Sequence, residues 1–202
     1  IGLLLVYMAR VIAICNQKGG VGKTTTAVNL AAYLAHVGRR VLLVDFDPQG
    51  NASSTLGVDP ARAETNVYRG LAGEPAASVI VRTPIDRLHL MAASNDLAGA
   101  MIELVTIPRR ESRLRELLME VRHEYQYIFI DLPPSLGLLT INGLVAADEI
   151  IIPVQCEYYS LEGLTQLLST IELIRTNLRH SISIAGAVLT MYSRRERLSR
   201  DV

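Results

Sequence analysis

Apolar positions along the chain form short unbroken runs that alternate with segments of helical period. Runs rich in β-branched residues predict strands at 11–15, 40–44, 88–92, 127–130, 149–154 and 182–189. Several of these runs show no polar alternation, as expected where both faces of a parallel sheet are covered. Helices are predicted between them at 24–37, 110–124, 138–146 and 161–178. The alternation predicts an α/β fold, with a doubly wound, mostly parallel sheet flanked by helices.

The helix predicted at 110–124 has the clearest period. Leu114, Leu117, Leu118 and Val121 form an apolar stripe at helical spacing, and Arg and Glu residues fill most other positions. Such a stripe is typical of a surface helix that packs against a sheet. The region 50–84, rich in Gly, Ala, Pro and Ser, gives no clear prediction.

Length and composition fit one globular domain. The chain has 202 residues, of which 50% are hydrophobic and 20% are charged, enough to bury a sizeable core. We assign the domain to residues 8–202. Residues 1–7 are interpreted as an upstream extension, because Met8-Ala9-Arg10 resembles a natural start. The last residues form a polar stretch after an apolar strand, so we expect the domain to be incomplete at its C-terminus.

The overall charge does not select a partner. Lys plus Arg and Asp plus Glu each number 20, so only a local patch can indicate a nucleic acid or a membrane. No apolar run reaches the length of a transmembrane helix. Cys15 and Cys156 lie in apolar, strand-like surroundings, which is typical of buried free thiols in a reducing, cytoplasmic compartment.

The first predicted strand leads into a glycine-rich turn, residues 16–26, and then into a helix. Glycines let successive backbone N–H groups point at a phosphate, and the helix N-terminus adds partial positive charge. Lys23 would reach the β- and γ-phosphates of ATP, and the Thr24 hydroxyl would ligate Mg²⁺. A standard P-loop has glycine where this chain has Gln17. A plain strand-to-helix turn with a threonine cap is the alternative, which the combination of motif and context disfavours.

Two further motifs follow predicted strands. The sequence DFDPQGN at 45–51 contains an Asp-Pro-x-Gly β-turn signal, but a carboxylate beside a phosphate loop also orients water or holds Mg²⁺. Four apolar residues ending in Asp131 have the Walker B form, with Asp131 directed at Mg²⁺. An apolar strand that ends in aspartate is common, so the indication comes from all three motifs together. Ligands of such sheets bind at the carboxyl ends of the strands.

These motifs resemble the ParA/Soj family of partition ATPases, whose deviant Walker A motif appears here as KGGVGKTT at 18–25. The resemblance implies that Lys18 reaches the partner's phosphates in an ATP-bound dimer; a solvated loop lysine is the alternative. It also implies that Asp47 is needed for hydrolysis, while Asp45 supports the lysine and the metal. The nucleotide-binding residues are then expected to be Lys18, Gly19, Gly20, Val21, Gly22, Lys23, Thr24, Thr25, Asp45 and Asp131, with Thr24, Asp47 and Asp131 at the metal.

The run at 152–163 resembles Soj more than MinD. It follows a strand, so Pro153 and Glu157 are expected to face the nucleotide. Glu157 would touch the partner's ribose, although helix capping or simple solvation explains this residue equally well.

The resemblance implies a cytoplasmic, nucleoid-associated switch. ATP binding would drive dimerisation, the dimer would bind DNA without sequence preference, and a ParB-type activator would trigger hydrolysis. A MinD-type membrane switch is the alternative; it needs a terminal amphipathic helix, which would lie beyond the end of this chain. The iron protein of nitrogenase needs a cluster-ligating cysteine near the third motif, and 131–140 contain none.

A basic segment near the end carries the DNA hypothesis. Residues 192–200 contain four arginines and one glutamate, and such a patch binds phosphates by releasing counterions. Arg194, Arg195 and Arg197 are the candidate DNA contacts. A solvated surface run is the equally weighted alternative.

Overall fold

The computed structural model describes residues 8–104, 107–156 and 160–193; the side chains of 101, 102 and 160–162 are not described. The predicted extension at 1–7, Glu157 and the three arginines Arg194, Arg195 and Arg197 lie outside the described residues. The hypotheses about them stay predictions.

The described strands form one seven-stranded sheet. In chain order they are β1 (Arg10–Ile14), β2 (Val41–Asp45), β3 (Val81–Arg82), β4 (Leu88–Met91), β5 (Tyr127–Asp131), β6 (Glu149–Gln155) and β7 (Ser183–Thr190). The spatial order is β3-β4-β2-β5-β1-β6-β7. Adjacent strands pair in parallel except β3 and β4, which are antiparallel. The predicted fold class is confirmed. Strand β3 was not predicted, because two residues are too few to show a hydrophobic period.

The helices mostly agree with the prediction. They are α1 (Lys23–His36), α2 (Asn51–Thr55), α3 (Val67–Leu71), α4 (Leu97–Glu103), α5 (Arg113–Val121), α6 (Leu138–Ala146) and α7 (Ser160–Asn177). The helix predicted at 110–124 is α5 with a 3₁₀ turn at either end, Arg110–Ser112 and Arg122–Glu124. The sequence does not predict α2, α3 or α4, because five to seven residues are too few to establish a helical period.

Two apolar layers cover the sheet. Along β1, Ile12 and Ile14 face the layer that contains α1, whereas Val11 and Ala13 face the layer that contains α5, α6 and α7. Both faces of the strand are therefore buried, which explains the lack of polar alternation. The predicted stripe of α5 is buried in the second layer.

The strand order brings the three motifs together. Strand β5 lies between β2 and β1, and Asp131 pairs in register with Asp45 on one side and Ile14 on the other. The glycine-rich turn follows Ile14 directly. All three motifs therefore leave the sheet at one edge, where these strands end; we call it the carboxyl edge. The opposite edge, where the strands begin, is the amino edge.

Candidate functional site

The glycine-rich turn has the backbone of a phosphate-binding loop. Gly20 and Gly22 have φ angles of 73° and 86°, a region that glycine adopts without the strain of a Cβ. Gly22 is also the N-cap residue of α1. A Cβ added at Gly19 or Gly20 would meet nothing within 4 Å. The loop therefore presents an open concave backbone at a helix N-terminus, which suits an anion.

Lys23 lies inside this loop. Its side chain is buried, with 7% exposed, and its Nζ donates to the backbone carbonyl of Lys18 at 2.9 Å. Burial lowers the pKa of Lys23, and the nearby Asp131, Cys15 and Asp47 oppose that change. The ammonium group is thus held across the loop and has no carboxylate in direct ion-pair contact among the described residues.

Asp131 is the most unusual polar group of the site. It is 1% exposed, and neither carboxylate oxygen accepts a hydrogen bond from the described residues. Burial raises its pKa to about 7, and Asp45 and Asp47 add to the rise. The Thr24 hydroxyl lies close enough to oppose this shift without reaching hydrogen-bonding geometry. A buried carboxylate without partners is costly, so this position is suited to a cation.

Asp45 has a different environment from Asp131. Its Oδ2 accepts hydrogen bonds from the backbone N–H of Ser53 at 2.7 Å and from the Ser53 hydroxyl at 2.6 Å. The Ser53 oxygen in turn accepts from the backbone N–H of Ala93 at 2.9 Å. Burial raises the pKa of Asp45 to about 6, against these hydrogen bonds. Asp45 therefore ties the end of β2 to α2 and to the segment after β4, and its predicted support of lysine and metal stays a prediction.

Asp47 faces a cleft beside the loop. Its Oδ1 accepts from the backbone N–H of Gln49 at 3.0 Å, and its carbonyl accepts from Gly50 at 2.9 Å. The predicted turn is therefore present, and it leaves the second carboxylate oxygen of Asp47 available to the cleft. The turn and the catalytic hypothesis are compatible at this residue.

The cleft has a volume of about 480 Å³. Its lining residues are Gly19, Gly20, Gly22, Lys23, Thr24, Thr25, Asp47, Gln49, Asn51, Thr55, Pro134 and Met191. The predicted residues Val21, Asp45, Asp131 and Pro153 are buried instead of lining it. Three further lining residues, Gln49, Asn51 and Pro134, lie in the sequence motifs and could have been predicted from them. No sequence pattern around Met191 indicates that it lines the cleft.

Two side chains brace the loop and were not predicted from sequence. Asn16 donates from Nδ2 to the carbonyl of Pro153 at 2.7 Å and accepts from the N–H of Lys18 at 3.0 Å. The Thr190 hydroxyl donates to the carbonyl of Val21 at 2.8 Å. Strand β6 therefore supports the glycine-rich loop through the carbonyl of Pro153, and strand β7 supports it through the hydroxyl of Thr190. Neither contact is indicated by a local sequence pattern.

Comparison with known proteins agrees with this geometry. A family model described as an AAA domain matches residues 9–184. The chain is 53% identical over 196 residues to the sporulation initiation inhibitor protein Soj of Bacillus subtilis, covering 96% of this chain and 78% of that protein. It is 52% identical to the chromosome-partitioning ATPase Soj of Treponema pallidum, with coverage of 96% and 76%.

A solved structure is also similar. It is that of cobyrinic acid a,c-diamide synthase from Mycobacterium smegmatis with bound ADP and magnesium. The TM-score is 0.92 at 42% identity, covering 96% of this chain and 79% of that one. Among the described residues, none of the helices combines the length and apolarity that a membrane span requires.

Proposed function

Because the chain belongs to the Soj/ParA family of chromosome-partitioning ATPases, we propose that it is an ATP-hydrolysing partition switch. In this proposal ATP and Mg²⁺ are its cofactors, the ATP-bound form is a homodimer that binds DNA without sequence preference, and a ParB-type protein stimulates slow hydrolysis. The protein acts in the cytoplasm on the nucleoid. The observation that carries the proposal is Asp131, a buried carboxylate without partners beside Lys23 and Thr24.

The described residues fit a nucleotide with its metal. The open backbone at Gly19 and Gly20 suits phosphate oxygens, and the unpartnered carboxylate of Asp131 and the hydroxyl of Thr24 suit Mg²⁺. Bound ATP with Mg²⁺ would supply the terminal phosphoryl group, with its charge neutralised, for transfer to water. Lys23 neutralises phosphate charge from inside the loop, since its Nζ already points across it.

Asp47 is the proposed catalytic residue. Its carboxylate lines the cleft, and the β-turn through Gln49 and Gly50 fixes its position. A carboxylate held in this way orients a water molecule by accepting its hydrogen bond, which is the main protein contribution to phosphoryl transfer.

Lys18 is the proposed link between nucleotide and dimer. It is half-buried at the start of the loop, and its backbone is fixed by Asn16 and by Lys23. A lysine that reaches the phosphates of a second subunit supplies positive charge only on assembly, as an arginine finger does. Dimerisation would then depend on ATP.

The relatives favour partition over the other functions. Several relatives with about half of their residues identical are named Soj or ParA, which disfavours the membrane switch of the MinD type. The match to a protein named as a diamide synthase is weaker, at 42% identity. Its shared fold and bound ADP support the nucleotide site without selecting the substrate.

A gel-shift assay with DNA, run beside sizing chromatography on the full-length protein, tests the proposal. We expect DNA binding and dimers with ATP and Mg²⁺ but not with ADP, and a steep loss of binding as salt rises. Lys18→Ala should lose both properties. The triple replacement of Arg194, Arg195 and Arg197 by Ala should lose DNA binding and keep the dimer.

A matched control replaces the three exposed arginines Arg62, Arg115 and Arg179 by Ala, which removes equal charge elsewhere. This control should keep DNA binding. If the protein ignores DNA in every nucleotide state but binds anionic liposomes with ATP, the MinD-type alternative replaces the proposal.

A further inference from the structure

A second cavity lies at the amino edge of the sheet, opposite the glycine-rich loop. Its volume is about 350 Å³, and its polar lining residues are Arg40, Arg82, Thr83, Asp86, Arg87, His89 and Tyr125. Arg40 directly precedes β2 and Arg87 directly precedes β4. No motif of the sequence analysis falls in this cavity, and the proposed ATPase reaction does not use it.

Two of its arginines have no partner in the described part of the chain. The guanidinium groups of Arg40 and Arg82 form neither a hydrogen bond nor an ion pair there. Arg87 donates to the carbonyl of Gly38 at 3.4 Å and has an exposed contact with Asp86 at 3.5 Å, which is weakly stabilising. Arginine presents a fork of donors that matches phosphate and carboxylate oxygens. The guanidinium groups of Arg40 and Arg82 therefore offer the cavity hydrogen-bond donors that no described residue uses.

His89 and Tyr125, which also line the cavity, are uncharged near pH 7. The His89 Nδ1 and the Tyr125 hydroxyl are hydrogen-bonded at 2.8 Å. Burial raises the pKa of Tyr125 to about 12, so the phenol keeps its proton. Burial and the positive charge of Arg82 lower the pKa of His89, against an opposing effect of Glu124. Asp86 and Glu124 are the acidic groups near the cavity in the described chain.

The backbone around the cavity is firmly held. Arg82 and His89 are direct cross-strand partners, so their side chains project to the same face. The carbonyl of Arg87 accepts from the N–H of Val41 at 2.9 Å, and the carbonyl of Arg40 accepts from Gln126 at 2.9 Å. Arg87 adopts a φ of 63°, which these contacts maintain. Because the backbone is already fixed, binding would have to order only the arginine side chains and not the main chain.

We propose that this cavity binds a small phosphate-bearing anion through Arg40 and Arg82, at the edge of the sheet opposite the nucleotide motifs. Its concave form and its volume of about 350 Å³ match a small molecule better than the extended, convex surface of duplex DNA. The hydrogen-bonded pair of Tyr125 and His89 adds one further N–H or O–H donor to the two guanidinium groups. The site is independent of the proposed partition function.

NMR of the histidine rings tests the proposal with inorganic phosphate as the probe. Ionic strength is matched with chloride, and the pKa of His89 is followed as phosphate is added. A bound anion favours the imidazolium form, so the pKa of His89 should rise with phosphate and saturate. His36, exposed at the end of α1, serves as the internal reference and should not respond.

Arg40→Gln and Arg82→Gln should each raise the half-saturating phosphate concentration about tenfold, since each removes a charge-assisted hydrogen bond. Both side chains are exposed and unpaired in the described chain, so these variants should fold. Arg115→Gln, which removes an exposed arginine from α5, should leave the response unchanged.

An equal response to chloride, or a response kept in both variants, would overturn the proposal. If duplex DNA shifts the His89 signals at concentrations where phosphate does not, the cavity is a nucleic-acid contact and the small-anion proposal fails. Neither result bears on ATP hydrolysis at the carboxyl edge.

Discussion

At the carboxyl edge of the sheet, Asp131 is buried and neither of its carboxylate oxygens accepts a hydrogen bond from the described residues. At the amino edge, Asp148 accepts hydrogen bonds from Arg122 at 2.6 Å and from the backbone N–H of Val11 at 2.9 Å. Glu149, beside it, has a two-pronged ion pair with Arg10 at 2.7 and 2.8 Å. Strand β5 therefore ends in an unsatisfied carboxylate, whereas β1 and β6 begin beside satisfied ones.

This difference indicates how the two edges divide their tasks. Unpaired buried charge destabilises the ligand-free protein and favours any ligand that supplies the missing partner. Paired surface charge stabilises the start of β1 and β6 modestly and needs no ligand. Substitutions at the carboxyl edge should therefore change binding and chemistry, whereas substitutions of the paired residues where β1 and β6 begin should change stability.

The largest expected effect follows from removing Lys23. Lys23→Ala deletes the ammonium group inside the loop, so phosphate charge loses its main counter-ion and ATP binding should be abolished. Equilibrium dialysis of the full-length protein measures this. Arg10→Ala removes a cation at the amino edge and should leave ATP affinity intact. Unchanged affinity in Lys23→Ala would contradict the assignment of the phosphate loop.

Asp47 separates binding from hydrolysis. Asp47→Ala should still bind ATP and dimerise, but turnover should fall about a hundredfold or more, as is typical when one positioned catalytic group is lost. A phosphate-release assay gives the rate, and Asp59→Ala, an exposed loop aspartate, is the control. Normal turnover would mean that Asp47 serves only the β-turn.

The raised pKa of Asp131 predicts pH-dependent metal binding. With a pKa of about 7, the carboxyl is protonated below that pH, and Mg²⁺ binds only the ionised form. The apparent affinity for Mg²⁺ in the presence of ATP should fall about tenfold for each pH unit below 7 and level off above it. Calorimetric titrations at pH 6, 7 and 8 measure the trend.

Asp131→Asn provides the correction for protons that the nucleotide itself binds. This variant should bind Mg²⁺ weakly at every pH and show only the dependence that comes from ATP. An identical pH trend in the two proteins would remove Asp131 from the metal site.

The smallest effect is expected at the amino edge. Hydrogen bonding to Arg10 lowers the pKa of Glu149, against a smaller opposing effect of burial. Because the folded-state pKa lies below the unfolded one, the stabilisation is present above the unfolded value and is lost as pH falls through the folded value. Glu149→Gln should cost less than about 1 kcal/mol at pH 7, since Arg10 is more than half exposed.

Urea unfolding of the native protein and Glu149→Gln measures this difference. It should shrink as pH falls through the lowered pKa of Glu149, because both proteins then carry a neutral group at this position, and it should also shrink in high salt. A cost of several kcal/mol at pH 7 would show that the Arg10–Glu149 ion pair is more than a weak surface contact.

Much of the fold was predictable from the sequence, because the central strands are long enough for their hydrophobic pattern to be recognised. Both faces of these strands are covered, so each appears in the sequence as an unbroken apolar run. The antiparallel edge strand β3 and the short helices α2, α3 and α4 were not predicted, because short elements depend on neighbouring segments for their stability. In α3, for example, Asn66 caps the helix by accepting from the N–H of Arg69, and the Val67 N–H donates to the carbonyl of Ala92. Asn16 and Thr190 were missed as braces of the loop for the same reason.

Asp45 and Asp131 show what the sequence determines and what the tertiary structure adds. Each ends an apolar strand, they pair in register, and the sequence by itself determined that both lie at the carboxyl edge. Only the tertiary structure decided that Asp45 receives the N–H and hydroxyl of Ser53 while Asp131 receives no hydrogen bond from the described residues. Strand pattern is local, but hydrogen-bond partners come from segments that packing brings together, and that packing leaves Asp131 as the carboxylate suited to a metal ion.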